Sequence, residues 1–415
     1  MDKTLSGFFL SVNTKRFLPL IVLLLLTASA YIHTFQNGWT TWDDDVYVTD
    51  NHFICDITAE NLLTVWTKPF NGSYLPLTML TYMLDYAIGG YDPVVYHTTN
   101  LLFHIINTAL VYLLCVRLSK GSHLTGFVVA VIFGIHPMHV ESVAWISGRK
   151  DVVSGMFFLL SLIAYLKYIQ QAEQKGLLIS FLCFTLALFS KVTAIMLPFV
   201  LILFDLYIGR KWHWNLVLEK SAFFVTAMVF VVIGYFAQHT AGALRHSSLV
   251  EMMLMPHYSL FIYLNKFFLP INLSSYYPYP KMHDGVFPAI VYLSLPIVYG
   301  FFYLVWKARA SRHMVFGVLF FLLMVFPVLQ HIRFSGIIAA DRFTYLPYIG
   351  LAFPIGVWIT EALQYSRKHV RMIISAAGIF LMVALHLATM ERVKVWKDST
   401  TLWNNVLQQY PDAFR

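Results

Sequence analysis

Long apolar segments recur along the chain, and most polar residues gather in the stretches between them. A helix that crosses a membrane needs about 20 mainly apolar residues, and many segments of this chain meet that requirement. We therefore predict about eleven membrane-spanning helices. They cover residues 17–35, 98–117, 124–141, 152–169, 177–190, 192–208, 220–237, 287–306, 314–330, 344–363 and 371–389.

Two stretches between these spans have structure of their own. The first long loop, residues 36–96, contains apolar and polar positions over 59–66 and 76–88 that predict short amphipathic helices at the membrane interface. The segment 252–273 is apolar enough to span, but a span there would put later basic loops on the opposite side. We predict a re-entrant or interfacial hairpin instead, broken at Pro256 and Pro270.

Basic residues occur in every second short loop, for example Arg117 with Lys120 and Arg210 with Lys211. Short basic loops are typical of the cytoplasmic side, so this alternation predicts a cytoplasmic N-terminus and a non-cytoplasmic first long loop. The net charge of +8 follows from this arrangement. We therefore expect the lipid bilayer as its surroundings and no nucleic acid partner.

The composition agrees with a membrane protein. Hydrophobic residues make up 58% of the chain and charged residues 12%, whereas soluble domains carry about 25% charged residues. The mean hydropathy is +0.65. The three cysteines are scattered and indicate neither a disulfide framework nor a metal site. No cleavage site follows the first span, so we expect it to be retained, and we predict an all-α polytopic membrane protein.

Three consecutive carboxylates, Asp43, Asp44 and Asp45, open the first long loop. They have two interpretations: a solvated acidic cluster that ends a helix, or functional groups. In the second span, His97, Asn100, His104 and Asn107 lie three or four residues apart, on one face of the helix. Such a stripe faces either a polar cavity or hydrogen-bonding neighbours.

Cations and further acids gather on the same side of the membrane. The turn over 136–155 carries His139, Glu141, Arg149 and Lys150. Its Arg149 and Lys150 favour either a bound phosphate or ordinary lipid headgroup contact. Two more cations lie at the ends of predicted spans. Lys191 meets an anion or extends to the interface, and Arg342 binds an anion or pairs with its neighbour Asp341.

Carboxylates act as general bases towards hydroxyl groups, and cations stabilise a departing phosphate. Together they indicate transfer of a group from a lipid phosphate to a hydroxyl at the membrane surface. A transporter or flippase is a rival interpretation, although the sequence shows no inverted repeat. A membrane scaffold is a third, for which the carboxylates of the first long loop would be unnecessary.

Several motifs together resemble the transmembrane-and-TPR family of protein O-mannosyltransferases, which are GT-C glycosyltransferases. The resemblance extends over residues 30–400 and rests on the order of the motifs. It implies a GT-C-like transmembrane domain over 1–395, followed over 396–415 by the start of a TPR-like helix or an amphipathic tail. The motifs are "WDDDVYV", "SYLPLTMLTYMLDY", "HPMHVESVAWISGRKDVVSG", "FSKVTAIMLP", "DRFTYLPYIG" and, in the tail, "WKDSTTLWNNVLQQYP".

The resemblance implies a polyprenyl- or dolichyl-phosphate mannose donor and a Ser or Thr hydroxyl of a protein as acceptor, on the non-cytoplasmic side. A lipid or glycan acceptor stays open. The resemblance also implies that an acid in the first long loop is the base. We favour Asp44, with Asp43 or Asp45 orienting it, and a divalent metal such as Mg or Mn at these three carboxylates stays open. We expect the bacterial inner membrane rather than the endoplasmic reticulum.

The remaining candidates receive roles on the same basis. Glu141 is expected to hold a sugar hydroxyl or to position Arg149. The residues expected to bind the donor phosphate are Arg149, Lys150, Lys191 and Arg342. The residues expected to give the cavity its polar lining are His97, His104 and His139.

Overall fold

The computed structural model describes residues 14–171, 173–242, 248–307, 311–331, 333 and 336–413. Within these residues the chain is built from α-helices, joined by turns, short 3-10 helices and one pair of short strands. The helices are α1 (Thr14–Ala30), α2 (Ala59–Thr67), α3 (Pro76–Gly89), α4 (Pro93–Leu118), α5 (His123–Ile135), α6 (Val140–Ala144), α7 (Arg149–Gln171), α8 (Gln174–Ser190), α9 (Leu197–Ile208), α10 (Trp214–Leu218), α11 (Ser221–Thr240), α12 (Leu249–Phe268), α13 (Ala289–Lys307), α14 (Arg312–Val325), α15 (Pro347–Tyr365), α16 (Lys368–Val395) and α17 (Ser399–Gln409).

The two strands connect segments that are distant in sequence. β1 (Tyr277–Pro278) pairs antiparallel with β2 (Ile337–Ala339), with Tyr277 opposite Ala339. All three residues of β2 are buried. The pair therefore fixes the loop before α13 against the segment that leads into Arg342.

The hydropathy pattern predicts the helices well. Each of the predicted spans coincides with helical structure, and the all-α prediction is confirmed. In the described part of the chain, 6 helices are long and apolar enough to cross a membrane, or up to 7 if a bent pair is one span. That pair, His123–Ile135 and Pro137–Ala144, bends by 55°. The number of spans, about eleven, stays a prediction.

The first long loop is also close to its prediction, since α2 and α3 lie where amphipathic helices were expected. The hairpin predicted over 252–273 is wrong, because α12 is one continuous helix. It begins with a capping box, in which Ser248 and Glu251 each accept a hydrogen bond from the backbone N–H of the other. Pro256 lies inside the helix, and Pro270 lies beyond its end.

The polar stripe of α4 forms hydrogen bonds to neighbouring segments inside the protein. Asn100 donates from Nδ2 to the carbonyl oxygen of Trp145 at 2.9 Å. Asn107 donates to the carbonyl oxygen of Val152 at 2.8 Å. Both side chains are fully buried, so the stripe ties α4 to α7 and to the turn before it.

Two glycines allow α14 and α15 to approach closely. A β-carbon on Gly317 would overlap the carbonyl oxygen of Gly350, and one on Gly350 would overlap the carbonyl oxygen of Gly317. Small residues at a helix interface bring the two backbones together and increase their packing contacts. These glycines therefore fix the distance between the two helices.

Substitution of Gly350 by alanine should destabilise the protein by about 1–3 kcal/mol, because the added methyl group overpacks this interface. Gly300 in α13 is the matched control, since a β-carbon there meets no atom within 4 Å. Thermal unfolding in detergent checks both variants. Equal melting temperatures for Gly350→Ala and Gly300→Ala would contradict the role of this contact.

Candidate active site

Asp44 anchors the first long loop to the turn that precedes α7. Its Oδ2 accepts hydrogen bonds from Thr40, from the backbone N at 3.0 Å and from Oγ1 at 2.8 Å. Its Oδ1 accepts two more from Ser147, from the backbone N at 2.9 Å and from Oγ at 2.6 Å. Burial raises the pKa of Asp44 to about 6, although the hydrogen bonds from Ser147 and Thr40 act to lower it. Both carboxylate oxygens are thus used to hold structure.

Asp43 has different surroundings. It is partly exposed, and its Oδ1 accepts a hydrogen bond from Asn71 Nδ2 at 3.0 Å. Its backbone φ is +77°, in the left-handed region that Asp adopts more readily than most residues. Its charge acts on Lys150 and on Arg342. Asp43 therefore lies within electrostatic reach of two of the predicted cations, Lys150 and Arg342.

Asp45 is also partly exposed and begins the short π-helical turn Asp45–Thr49. The structure thus gives the three adjacent carboxylates different surroundings. Asp44, which we favoured from the sequence, is 1% exposed and already accepts four hydrogen bonds. We therefore transfer the role of base to Asp43, which keeps both exposure and proximity to the cations.

A small cleft contains two of the predicted cations, Lys191 and Arg342, and the charge of Asp43 acts on the second of them. Lys191 forms an ion pair with Asp151, and Arg342 forms one with Glu141. The cleft is lined by Asp151, Ser154, Gly155, Lys191, Thr193, Met324, Val328, Arg342, Phe343, Tyr345, Leu346 and Pro347.

Glu141 positions Arg342 rather than Arg149. It is fully buried, and its Oε2 accepts a hydrogen bond from the backbone N of Arg342 at 2.9 Å. Burial by itself lowers the pKa of Arg342, but the charges of Glu141, Asp151 and Asp43 raise it above the ordinary value. Arg342 is thus a fixed cation at the wall of the cleft.

Lys150 is held by aromatic rings. Its Nζ lies 4.7 Å from the ring centroid of Tyr47 and 4.8 Å from that of Trp145. Among the residues that the structure describes, no carboxylate lies within 4.0 Å of this ammonium group. Cation–π contacts stabilise a charge without neutralising it, so Lys150 keeps its capacity for an anionic ligand.

Arg149 does not take part in the cleft. Its guanidinium group donates to Asp85 Oδ2 at 2.6 Å and to the carbonyl oxygen of Tyr96 at 2.9 Å. It also contacts Asn100 Oδ1 and Thr81 Oγ1. The side chain is fully buried among these partners, so we leave Arg149 out of the proposed phosphate site.

Asp341 does not pair with its neighbour Arg342. It accepts a hydrogen bond from Tyr277 Oη at 2.7 Å, and Arg392 Nη2 lies 3.4 Å from its Oδ2. Burial raises the pKa of Asp341 to about 7, with Arg392 opposing and Glu141 adding to the shift. Asp341 is therefore an internal link to α16, while Arg342 is directed to the cleft.

The three histidines expected to line the cavity lie in the packed interior instead. His97, His104 and His139 are at most 1% exposed, and none of them lines the cleft. His104 bonds to Tyr345 Oη at 2.9 Å, and His139 Nδ1 bonds to the carbonyl oxygen of Phe133 at 2.8 Å.

The polar lining comes instead from residues that the sequence analysis did not single out as lining. Asp151, Ser154 and Gly155 line the cleft, and their spacing of three and four residues places them on one face of α7. The sequence therefore contained a signal that these three residues share one face of the helix. The contribution of Tyr345 and Phe343 could be found only from the fold.

A divalent metal at Asp43, Asp44 and Asp45 stays a prediction. Both oxygens of Asp44 already accept hydrogen bonds from N–H and O–H groups of the protein. Within the described residues, no group of three or more His, Cys, Asp or Glu side chains is arranged to hold a metal ion. We derive no step through a metal.

Comparisons with known proteins agree with the motifs. No protein-family model matches the chain. The chain is 46% identical over 96 residues to protein O-mannosyl-transferase tmtc2 of Xenopus laevis, which covers 23% of this chain and 11% of that protein. It is 31% identical over 176 residues to Tmtc1 of Drosophila melanogaster, covering 40% and 20%. It is 32% identical over 164 residues to human TMTC4, covering 34% and 22%.

These matches confirm the resemblance to transmembrane-and-TPR O-mannosyltransferases, and they span at most 22% of the length of these three relatives. Among solved structures, ArnT from Cupriavidus metallidurans bound to undecaprenyl phosphate is similar, with a TM-score of 0.45 and 12% identity. That similarity covers 95% of this chain and 76% of ArnT. It is too weak to support a conclusion about activity.

Substitution of Asp43 and of Asp44 by asparagine should have different consequences. Asp43→Asn keeps a residue type that tolerates the left-handed backbone, so we expect normal stability and a kcat at least about 100-fold lower. In Asp44→Asn the amide NH₂ faces a backbone N–H, and the free energy of unfolding should fall by about 1.5–3 kcal/mol. Thermal unfolding and a transfer assay separate the two. A stable but inactive Asp44→Asn would return the role of base to Asp44.

Arg149 and Lys150 provide a second matched pair. Arg149→Gln leaves Asp85 without its buried partner and should reduce stability by about 3–5 kcal/mol. Lys150→Gln should cost less stability, about 0.5–2 kcal/mol for the lost cation–π contacts, but weaken binding of a lipid phosphate about tenfold or more. Lys68→Gln, on the exposed surface of the first long loop, is the charge control. Unchanged lipid phosphate binding in Lys150→Gln would exclude Lys150 from the site.

Proposed function

We propose that the chain is a membrane glycosyltransferase that moves a sugar from a polyprenyl-phosphate donor to a Ser or Thr hydroxyl of a protein. Mannose is the proposed sugar, because the matched relatives are named protein O-mannosyl-transferases. The observation that carries the proposal is a cleft lined by Lys191 and Arg342, with the charge of Asp43 acting on Arg342 and on the nearby Lys150.

The charges suit this reaction. A sugar attached to a lipid phosphate leaves behind a phosphate monoester anion, which needs compensation in a site of low dielectric constant. Lys191 and Arg342 line the cleft, and Lys150 lies at the Trp145 ring that Arg342 also contacts, at 5.2 Å. Ion pairs and aromatic rings hold these cations in place before the donor binds. Their side chains therefore need little rearrangement when charge develops on the phosphate.

In the proposed step, Asp43 accepts the proton of the acceptor hydroxyl as its oxygen attacks the anomeric carbon. The new bond joins that oxygen to the anomeric carbon, and the bond between this carbon and the phosphate oxygen breaks. The electron pair leaves with the lipid phosphate, whose charge Lys150, Lys191 and Arg342 stabilise. Attack opposite the leaving group inverts the anomeric centre, and Asp43 later releases its proton to water.

The distribution of basic loops supports a cleft on the non-cytoplasmic side of the membrane. A lipid or glycan acceptor would use the same base and the same cations, so it is the second candidate within this class. A transporter would need a path across the membrane, and the charged residues of the cleft lie at one end of α7 and α15 instead.

The experiment uses the purified full chain in lipid nanodiscs with a polyprenyl-phosphate mannose and a Ser/Thr peptide. We expect a mannosylated peptide by mass spectrometry and release of polyprenyl phosphate. Asp43→Asn should form no product. Consumption of the donor with a lipid or glycan product would favour the second candidate, and no consumption of any polyprenyl-phosphate sugar would overturn the proposal.

A further inference from the structure

The C-terminal segment 396–409, called here the C-terminal strut, contacts the first long loop just before the aspartates. The backbone N of Thr41 donates to Ser399 Oγ at 2.9 Å. Trp403 donates from Nε1 to Thr41 Oγ1 at 3.2 Å. The rings of Trp42 and Trp403 meet edge to face with centroids 5.2 Å apart. These contacts fix the two residues that precede Asp43.

The connection is extended by backbone contacts upstream. The backbone N of Gly38 donates to the carbonyl oxygen of Lys397 at 2.7 Å. Asn37 donates from Nδ2 to the carbonyl oxygen of Val393 at 3.2 Å. The end of α16 and the strut thus follow the first long loop over several residues.

The other end of the strut reaches the segment that carries Arg342. Arg392, which precedes the strut, donates to Asn405 Oδ1 at 3.1 Å and lies 3.4 Å from Asp341. Gln409 donates from Nε2 to the carbonyl oxygen of Leu273 at 2.8 Å, and Arg392 donates to the same oxygen at 2.8 Å. The strut is therefore linked to the residue beside Arg342.

The strut also supports the wall that holds the cations. Trp396 is fully buried and stacks on Trp145 with ring centroids 5.9 Å apart. Trp145 in turn contacts Lys150 and Arg342 through its ring. Leu402 and Val406 are fully buried, so α17 is packed onto the membrane domain.

We propose that the C-terminal strut is a positioning element for the reaction, with Ser399 and Trp403 as its positioning residues. The left-handed backbone of Asp43 costs free energy and persists only where neighbouring contacts hold it. Ser399 and Trp403 supply such contacts at Thr41 and Trp42, while Arg392 and Gln409 hold the opposite side. The strut thus sets the distance between the base and the cations. This inference rests on the proposed function.

The decisive variant is Ser399→Ala combined with Trp403→Phe. It removes both hydrogen bonds to Thr41 but keeps an aromatic ring against Trp42, so the fold should survive. We expect the kcat for peptide mannosylation to fall about tenfold, with the donor KM within about twofold of the unmodified chain. Gln408→Ala is the matched control, because Gln408 lies on the exposed face of α17.

Two further measurements separate positioning from mere stabilisation. Hydrogen exchange of the amides over 41–50 should become faster in the double variant, while binding of polyprenyl phosphate and the melting temperature should not change. Thr41→Val removes the hydrogen bond from Trp403 but keeps the backbone N–H that donates to Ser399. It should lower kcat less than the double variant does and add nothing when combined with it. A kcat equal to that of Gln408→Ala would overturn the proposal.

The outcome also distinguishes this inference from the proposed function. If the unmodified chain transfers mannose and the double variant does so equally well, the strut proposal fails alone. If the unmodified chain transfers no sugar but exchange over 41–50 becomes faster in the double variant, the proposed function fails and the strut still holds the loop.

Discussion

The four hydrogen bonds to Asp44 are the constraint on which the site depends. They join Thr40 in the first long loop to Ser147 in the turn before α7. Because Asp43 lies on one side of this junction and Lys150 on the other, the junction brings an acid and a cation from distant parts of the sequence together. Moving this buried carboxylate would break four hydrogen bonds, so the two segments keep a fixed position relative to each other.

The cations show three ways to keep a positive charge at a membrane boundary. Arg149 is fully satisfied by Asp85 and its neighbours and becomes part of the structure. Arg342 has a buried carboxylate partner but retains one face towards the cleft. Lys150 rests on two rings and has no carboxylate partner among the described residues. The positive charge left for a bound phosphate is therefore smallest at Arg149 and largest at Lys150.

Hydropathy predicted the helices, and the amphipathic segments at 59–66 and 76–88 were found almost residue by residue. The gathering of charges was also expected, because the alternation of basic loops predicts that these turns lie on one side of the membrane. Sequence could not distinguish Asp43 from Asp44, or Arg149 from Lys150. Adjacent residues point in different directions, and which direction is the cleft depends on contacts such as Ser147 with Asp44 and Asp85 with Arg149.

The close approach of Gly317 and Gly350 has a consequence for how the cleft can change shape. Two backbones in contact cannot slide or separate without losing that contact, so α14 and α15 form one stiff panel. Met324 and Pro347 belong to this panel, whereas Ser154 and Thr193 belong to the opposite boundary. Any widening of the cleft must therefore come from α7 and the turn after α8, while the panel keeps its shape.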